Sequence, residues 1–485
     1  MSVDSSLLQS IIDRSSDGPH VEKFQEIIET HTVEVLPFQE WRFEINSNDK
    51  LKLRLLKGTA EIFGTEVSPN IDLTLQGSLK SSISTFSGCT IKYWNCQPSS
   101  EYVGEESCIG SYLNLHLGLE NLRINSQTGG PRVLIIGPKD SGKTSLSRVL
   151  VSYAEKMDRR PLLVNLSPRD SIFTMPGSLT ATAISGMLNI ENITLGETIT
   201  TGPSFYHPKQ PLVKCFGLEN YRDNLKLYKY LIERLSDSVE KRLMASEDVR
   251  KAGIVIDTPA FHIGDFEVIQ EIIDDFKVDV LVVIGNERLL VDLKRKLKYD
   301  SSKLKLLKVS KSSGCIDVDD KYKREMQQRA IKEYFYGMDN SQLSPYTIMV
   351  NLKEFIFMKP KELAALNMAF MSTDAVEDEA NKTSAEIKYS DFMERVKIAS
   401  SSNLENAILA IADDSDLEVG KYVTAVDDKE GNLELIKAIA GRSVLGYCYV
   451  LGCNDKEGKA KLLIPSPVQH LPTKTFILTQ FRYHE

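Results

Sequence analysis

The chain has 485 residues, of which 42% are hydrophobic and 26% are charged, and its formal net charge is −8. This balance is typical of a soluble globular protein of about two to four domains. It argues against a strongly basic nucleic-acid binder, so contact with RNA or DNA would need a local patch. Its apolar runs are too short to span a bilayer. Its first residues lack the basic start and long apolar core of a signal peptide.

Cysteine and histidine usage limits the chemistry further. The seven cysteines are scattered, odd in number and without a CxxC pair, which favours a reducing compartment. The seven histidines show no metal-ligand spacing, so we interpret each as structural or surface-exposed.

The N-terminal quarter of the chain divides into two parts. Residues 1–30 are polar and are interpreted as a tail, although an apolar strip could also form a docking helix (Leu7, Leu8, Ile11, Ile12). Residues 31–126 contain short period-two runs separated by turn residues, which predicts a small β-sandwich or barrel. The run 110–123 at its end has the apolar spacing of an amphipathic helix.

Residues 127–352 alternate between apolar strands and helices. This alternation predicts a parallel sheet covered on both faces. The candidate strands are 132–136, 161–166, 253–257, 279–285 and 304–309, and the candidate helices are 144–157, 221–246, 265–276, 287–297 and 320–335.

The remaining residues, 353–485, do not alternate in this way. They contain an acidic polar segment at 374–385, interpreted as a flexible loop, followed by short apolar runs with Gly and Pro turns. We expect a small β-rich C-terminal domain. The predicted fold class is therefore α/β, with a central P-loop NTPase domain between an N-terminal β-sandwich-like domain and this third domain.

A phosphate-binding motif lies between the first strand and the first helix of the central region. The sequence Gly137-Pro-Lys-Asp140-Ser141-Gly142-Lys143-Thr144-Ser145 has the spacing G-x-x-x-x-G-K-[ST] and the required strand and helix on either side. Glycines let backbone N–H groups surround phosphate oxygens, and the helix N-terminus adds positive charge. The lysine reaches the terminal phosphates and the threonine hydroxyl can hold Mg²⁺. We predict bound ATP and Mg²⁺ here.

A working phosphotransferase also needs a carboxylate at a neighbouring strand end and cations over the transferred group. Asp257 follows an apolar strand and is a candidate second metal ligand beside Thr144, or alternatively a turn former. The strand nearest in sequence ends without an acid at Asn165 or Ser167, and Asp170 comes later. Two segments are candidates to cover the site as a lid: the helix with Arg324, Arg329 and Lys332, and the loop 200–203 with Tyr206, Lys209 and Lys214.

Several segments together resemble the eukaryotic polynucleotide 5′-hydroxyl kinase family, in particular its branch in the pre-mRNA cleavage and polyadenylation factor. They are 58–66 (GTAEIFGTE), 137–144, 211–217 (PLVKCFG) and 333–337 (EYFYG). The resemblance covers about residue 40 to the C-terminus. It implies an ATP-binding kinase-like domain between two β-domains. It also implies that an acid and a lysine of the N-terminal domain approach the nucleotide, at Glu40 and Lys80.

The chain departs from the active members of that family at positions that matter for catalysis. The catalytic aspartate of the family corresponds here to Ser167, followed by Arg169 and Asp170 in place of Gly-Gln. A base-stacking tryptophan corresponds to Phe261, which we expect could still stack, and a lid arginine corresponds to Ala330. A serine hydroxyl is no general base near neutral pH without an activator.

These departures predict an ATP-binding, non-catalytic scaffold subunit of the 3′-end cleavage machinery, with no catalytic residue assigned. The alternatives are an active RNA 5′-kinase, with Asp257 or Asp170 as the acid, and an NTPase switch. The resemblance further implies a nuclear location and a scaffold partner that contacts the RNA polymerase II tail. Contact with pre-mRNA, direct or indirect, is left open, and no membrane partner is expected.

Overall fold

The computed structural model describes residues 29–170, 172–192, 211–297, 303–338, 341–363, 388–423, 427–465, 467, 471 and 473–484. The predicted tail strip at 7–12, the loop 200–203 with Tyr206 and Lys209, and the acidic segment 374–385 lie outside these residues. Among the described residues, no helix has the length and apolar character needed to cross a membrane.

The N-terminal part consists of two antiparallel sheets. Its strands are β1 (Thr30–Val35), β2 (Glu40–Ile45), β3 (Lys50–Gly58), β4 (Glu61–Ile62), β5 (Thr65–Glu66), β6 (Asp72–Gln76), β7 (Leu79–Ser84), β8 (Cys89–Trp94) and β9 (Ser100–Gly104). The strand orders are β1-β8-β3-β6 and β5-β4-β7-β2-β9. Alternating apolar residues of both sheets, including Trp41, Leu53 and Ile91, fill one shared core.

The central part contains the strands and helices that carry the phosphate-binding motif. Its strands are β10 (Arg132–Ile136), β11 (Leu162–Asn165), β12 (Ser178–Ala183), β13 (Leu212–Cys215), β14 (Ile254–Asp257), β15 (Val280–Ile284) and β16 (Lys305–Val309). Its helices are α1 (Ile109–Asn125), α2 (Lys143–Glu155), α3 (Leu225–Ala245), α4 (Glu247–Ala252), α5 (Phe266–Asp275), α6 (Glu287–Lys296) and α7 (Asp320–Tyr336).

The central sheet has the order β13-β12-β11-β14-β10-β15-β16. Strands β11, β14, β10, β15 and β16 are parallel, as predicted. Strand β12 pairs antiparallel with β11 on one side and with β13 on the other, and neither β12 nor β13 was predicted. Successive residues of β10 point alternately into two cores: Val133 and Ile135 face α1 and α2, and Leu134 and Ile136 face α3. Both faces of the sheet are therefore covered, which confirms the predicted class with a mixed rather than purely parallel sheet.

The C-terminal part is built on its own seven-stranded sheet, in the order β19-β24-β23-β22-β25-β20-β21. Its strands are β19 (Tyr346–Asn351), β20 (Ile356–Pro360), β21 (Met393–Arg395), β22 (Ala407–Ala412), β23 (Val444–Asn454), β24 (Lys459–Ile464) and β25 (Thr475–Arg482). Its helices are α8 (Ser401–Leu404), α9 (Gly420–Val423) and α10 (Lys429–Ile439), and a small hairpin of β17 (Gly337–Met338) and β18 (Ser341–Gln342) precedes it.

The C-terminal sheet begins before the predicted limit of the C-terminal domain. Strand β19 pairs with β24 over its whole length, although it lies ahead of residue 352. The division of the chain into domains at residues 30, 126 and 352 stays a prediction.

Candidate nucleotide-binding site

The loop between β10 and α2 has the backbone shape that a phosphate-binding loop needs. Asp140 and Gly142 both have positive φ angles, 53° and 87°. A Cβ added at Gly142 would lie 2.9 Å from the Cys315 Sγ, and one at Gly137 would lie 2.9 Å from the Ser141 Oγ. The two glycines of the motif are therefore required by backbone conformation and by close approach.

The side chains of this loop are held by its own carbonyl groups. The Lys143 ammonium donates to the Pro138 carbonyl at 2.8 Å, and the Ser141 hydroxyl donates to the same oxygen at 2.9 Å. Burial lowers the pKa of Lys143, although the carboxylates of Asp257 and Asp170 act in the opposite direction. The loop thus presents a buried cation at the N-terminus of α2, where the helix dipole also favours an anion.

Thr144 and Asp257 lie side by side, as the predicted metal site requires. The Thr144 hydroxyl donates to Asp257 Oδ2 at 2.6 Å, while Oδ1 is buried and has no hydrogen-bond partner within the described part of the chain. Burial raises the pKa of Asp257 to about 6 despite the Thr144 hydrogen bond and the nearby Lys143. A hydroxyl and an orphaned buried carboxylate oxygen fit Mg²⁺, a cation that prefers oxygen ligands and is usually bound through one or two protein groups, water and phosphate.

The N-terminal sandwich forms the wall opposite the phosphate-binding loop. A cavity of about 850 Å³ is lined by residues 139–145 and also by Glu40, Lys80 and Tyr322. Glu40 accepts from the Arg42 Nε at 2.6 Å, and the Lys80 Nζ lies 2.9 Å from Glu44 and 5.5 Å from the centre of the Tyr322 ring. The two residues carried over from the family resemblance thus face the same cavity as the loop, and their contact with a nucleotide stays a prediction.

Arg42 is a site residue that the sequence reasoning missed. One of its terminal nitrogens donates to the Ser313 hydroxyl at 2.9 Å and to the Glu106 carbonyl at 3.0 Å. We call residues 310–318 the β16 loop, because they follow β16. The signal was present in the sequence: Glu40 and Arg42 are two apart on one strand, so their side chains share a face.

The β16 loop is also fixed to the phosphate-binding loop. The Val318 backbone N–H donates to Asp140 Oδ2 at 3.0 Å, and the Lys139 ammonium donates to the Val318 carbonyl at 3.0 Å. The β16 loop therefore bridges the N-terminal sandwich and the phosphate-binding loop.

Ser167, which the family resemblance aligns with a catalytic acid, lies just after the carboxyl end of β11, next to β14. The Ser167 hydroxyl donates to Asp170 Oδ2 at 3.1 Å, and the Lys323 ammonium donates to Asp170 Oδ1 at 2.6 Å. Burial raises the pKa of Asp170, but Lys323 and Ser167 outweigh it, so the net pKa lies below the usual value. Asp170 is consequently a weak base locked in an ion pair. Lys323 was another residue the sequence reasoning missed.

Two expectations, that Phe261 could stack on a substrate base and that Lys214 belongs to a loop covering the site, are wrong. Phe261 is 0% exposed and packs edge-on against Tyr221 in the core, so it cannot stack on a substrate base. Lys214 does not cover the site: it is buried in β13 and its ammonium donates to the Gly441 carbonyl at 2.6 Å.

The predicted cationic helix corresponds to α7, and its basic residues make different contacts. Arg324 lines the cavity. Arg329 instead donates to the carbonyls of Gln76 and Gly77, which joins α7 to the sandwich. Lys332 is exposed away from the cavity lining and Ala330 is buried.

Three of the basic side chains that line the cavity are paired with carboxylates. Arg169 contacts Asp320 and Glu219, Arg222 contacts Asp265, and Lys323 contacts Asp170. The charges of these three side chains are therefore compensated within the protein, whereas Arg324, which also lines the cavity, is exposed.

A glycine-rich loop between a strand and a helix of a mixed α/β sheet, with its Thr–Asp pair, defines a P-loop nucleotide-binding protein. Family models match almost the whole chain. They are described as an N-terminal β-sandwich domain of polyadenylation factor (residues 34–126), the P-loop of mRNA cleavage and polyadenylation factor CLP1 (137–337), and pre-mRNA cleavage complex II protein Clp1 (343–485). The chain belongs to the CLP1 family of mRNA cleavage and polyadenylation factors.

Similar proteins extend over the full length of the chain. The mRNA cleavage and polyadenylation factor CLP1 of Debaryomyces hansenii is 38% identical over 500 residues, covering 96% of this chain and 97% of that protein. The protein of the same name from Candida albicans is 36% identical over 496 residues, covering 96% and 98%.

Solved structures show the same fold. A wild-type Clp1p–Pcf11p complex superimposes with a TM-score of 0.79 at 31% identity, covering 94% of this chain and 99% of that one. A second structure, with a TM-score of 0.79 at 30% identity, concerns the extended interface between Pcf11p and Clp1p and ATP loss in a glycine-to-arginine point mutant.

Proposed function

We propose that this protein is a non-catalytic subunit of the pre-mRNA 3′-end cleavage and polyadenylation factor that holds ATP and Mg²⁺ as structural ligands. The observation that carries the proposal is the arrangement at the end of β11. Ser167 takes the position that the family resemblance assigns to the catalytic acid, and the Asp170 carboxylate bonded to it is held by Lys323. A base must be free and must have a suitable pKa to take a proton from an attacking hydroxyl.

Binding of the nucleotide is supported by the parts of the site that do not depend on catalysis. Residues 137–145 would hold the phosphates, and Glu40 and Lys80 would close the opposite wall. Thr144 and Asp257 would hold Mg²⁺, which would neutralise phosphate charge when bound. A ligand that binds only the folded protein stabilises it, by about 2.7 kcal/mol at a hundredfold excess over Kd.

The assembly role is supported by family membership and by the solved relatives, in which Clp1p is bound to Pcf11p. We propose that this chain likewise binds a scaffold subunit of the cleavage factor that contacts the RNA polymerase II tail, and that it acts in the nucleus. Because Arg169, Arg222 and Lys323 in the cavity lining are already paired with carboxylates, we propose that contact with pre-mRNA is indirect.

One observation favours a second candidate, an active polynucleotide 5′-hydroxyl kinase. The Asp170 carboxylate lies only 3.1 Å from the Ser167 hydroxyl, so it is close to the place where the missing acid would act. Its ion pair with Lys323 and its lowered pKa weaken this alternative. An NTPase switch would need the same activation of a nucleophile, here water.

The test is an assay of the purified protein with radiolabelled ATP and 5′-hydroxyl RNA, followed by measurement of labelled RNA and of free phosphate. Neither is expected to exceed the level of a Lys143→Ala variant. Labelled RNA above that level would establish the kinase, and phosphate release without RNA labelling would establish the switch.

A companion measurement examines the nucleotide that remains with the protein after purification. The denatured wild-type protein is expected to release ATP rather than ADP. Lys143→Ala should release none and should unfold at a lower temperature, because it loses the ligand's contribution to stability. Equal ATP content in both proteins would contradict the assigned role of Lys143.

A further inference from the structure

One edge of the central sheet is formed by β16, which pairs only with β15 among the strands that the structure describes. The Lys305 N–H and the Val309 carbonyl bond to backbone groups just outside the two ends of β15, at 2.8 and 2.9 Å. Because the backbone groups of a strand point alternately to its two sides, the groups of Leu306 and Lys308 point away from β15. Within the described part of the chain, those groups bond to no other residue. The edge therefore offers two N–H and two carbonyl groups to a further strand.

The same edge is basic, although the net charge of the whole chain is −8. Residues 287–297 and 303–311, which comprise α6, β16 and their flanks, contain eight basic side chains and two acidic ones. The basic residues are Arg288, Lys294, Arg295, Lys296, Lys303, Lys305, Lys308 and Lys311. Lys303 and Lys305 have no carboxylate within ion-pair distance among the described residues. The edge thus has a surplus of positive charge that an acidic partner would neutralise.

The side chains of β16 give the two faces of this edge different characters. Leu306 and Lys308 face α6, since Leu306 packs against the core on that side and the Lys308 ammonium lies 2.9 Å from Glu287 of α6. Lys305 and Leu307 lie on the opposite face, where Leu307 is 38% exposed. A strand that paired with β16 would meet cations on the α6 face and apolar surface on the other. A segment in which acidic and apolar residues alternate matches both faces.

The charge and the backbone of this edge together select the class of partner. Lysines on an edge strand disfavour pairing with a second copy of the same edge, because like charges would then face each other. An RNA backbone is a poor match, because phosphate oxygens only accept hydrogen bonds and the outward carbonyls of Leu306 and Lys308 are acceptors as well. A peptide backbone supplies donors and acceptors in alternation, and acidic side chains supply the opposite charge.

We propose that β16 is a docking site for an extended acidic segment of a partner polypeptide, which adds to the central sheet as an outer strand. The backbone of this segment bonds to Leu306 and Lys308, its acidic side chains lie near Lys308 and α6, and its apolar side chains cover Leu307. The site is independent of the proposed retention of ATP, because none of these residues lines the nucleotide cavity.

The test measures binding of three fluorescent peptides to the full-length protein. The first is acetyl-Thr-Glu-Val-Glu-Val-Glu-Thr-amide, the second has glutamine in place of each glutamate, and the third is the first peptide N-methylated at its central Glu and the following Val. Adjacent N–H groups point to opposite edges of a strand, so the two methyl groups block both edges. The first peptide should bind about tenfold more tightly than the second, and the third should not bind. Equal affinity for the first two peptides, or binding of the third, would overturn the proposal.

Two substitutions at one residue separate the backbone contribution from the charge. Lys308→Gln keeps the outward N–H and should weaken binding of the first peptide about two- to fivefold. Lys308→Pro also removes that N–H, which the pairing with β15 does not use, so it should abolish binding of the first and second peptides. Lys52→Gln, which changes an exposed lysine of β3 in the sandwich, should have no effect.

Equal binding by Lys308→Pro and Lys308→Gln would contradict strand addition. If the proline variant has a lowered melting temperature, the N-methylated peptide makes the same distinction on the unchanged protein. ATP content, measured on the same samples, should equal that of the wild type in every variant, so a failure here is separable from a failure of the proposed function.

Three other occupants are outcomes that would also overturn the partner assignment. If RNA binds this edge, a uridine heptamer should displace the first peptide and bind more tightly than it does. If a second copy binds, light scattering should show a dimer that Lys308→Pro converts to a monomer. If the acidic segment 374–385 of the same chain binds, its deletion should tighten binding of the first peptide. With an acidic partner polypeptide as occupant, none of these three results is expected.

Discussion

At the scale of single residues, the proposed loss of catalysis depends on the contacts of Ser167. Ser167 and Asp170 share a hydrogen bond of 3.1 Å, and Lys323 already compensates the Asp170 charge. Restoring an acid at residue 167 would therefore not simply restore a base. It would place two carboxylates next to each other with one ammonium group between them, which favours protonation of one of them.

This contact gives the first prediction. Ser167→Asp should lower the free energy of unfolding by about 1–3 kcal/mol, because the new carboxylate replaces a hydrogen-bond donor to Asp170 and repels it. Ser167→Asn, similar in size but uncharged, is the matched control and should cost less. Adding Asp170→Asn to Ser167→Asp should recover most of the loss. Urea unfolding measures all four proteins, and equal stability of the Asp and Asn variants would contradict the repulsion.

The residues of the site were predictable from sequence to different degrees. The motif from Gly137 to Ser145 depends on a contiguous spacing, so its residues could be named in advance. The pairing of Thr144 with Asp257 needs only the rule that neighbouring parallel strands end at the same edge. Lys323 pairs with Asp170, and Arg42 donates to Ser313; in each contact the two residues lie more than 150 positions apart. A local sequence pattern does not encode contacts of that kind.

At the scale of elements, the apolar strands and the helices of the central sheet lie within a few residues of their predicted positions. Strands β12 and β13 were not predicted because their sequences lack the apolar runs that mark the other strands of this sheet. Strand β12 reads Ser-Leu-Thr-Ala-Thr-Ala, which alternates hydroxyl and apolar residues, but it has a single large apolar side chain and is buried on both faces. Strand β13 has only four residues and contains Lys214. Their antiparallel pairing depends on neighbours distant in sequence, which composition does not report.

Arg42 gives the second prediction, because it connects two elements across the nucleotide cavity. Arg42→Met should leave Glu40 buried without its cation and release the β16 loop from the sandwich. We expect ATP to dissociate about tenfold faster and the amides of the β16 loop to exchange faster with deuterium, as an unpaired buried charge typically costs several kcal/mol.

Arg54→Met is the matched control for this experiment. Arg54 also pairs with an acid of the sandwich, Asp72, but that pair is exposed and does not line the cavity. It should contribute little to stability and nothing to ATP retention. If Arg42→Met released ATP no faster than this control, the β16 loop would not link the sandwich to the nucleotide.

At the scale of the whole molecule, the three parts of the chain are joined by polar contacts as well as by apolar packing. The ammonium of Lys214 in β13 reaches the Gly441 carbonyl at 2.6 Å and the Ser443 hydroxyl at 3.5 Å, beside the C-terminal sheet. Burial lowers the pKa of Lys214 to about 8, and nearby Arg234 and Lys241 act in the same direction while Asp237 opposes them. This joint between the central and C-terminal parts therefore holds a cation at an energetic cost.

The third prediction follows from the sign of that shift. Below pH 8, Lys214 is charged in both the folded and the unfolded protein, and the folded state carries the full penalty. As pH rises from 8 towards the unfolded value of 10.5, the folded protein releases its proton first, so its stability increases relative to a variant without this group. Lys214→Met should therefore be more stable than the wild type at pH 7, by about 1–2 kcal/mol after loss of the hydrogen bond to Gly441 is included.

The measurement is urea unfolding at pH 7 and at pH 9.5, where the advantage of Lys214→Met should shrink or reverse. Lys226→Met is the control, since Lys226 also joins the central and C-terminal parts, through Asp391, but is exposed. Its effect should be small and the same at both pH values. A Lys214→Met advantage that does not change with pH would show that packing, and not the buried charge, determines the stability of this joint.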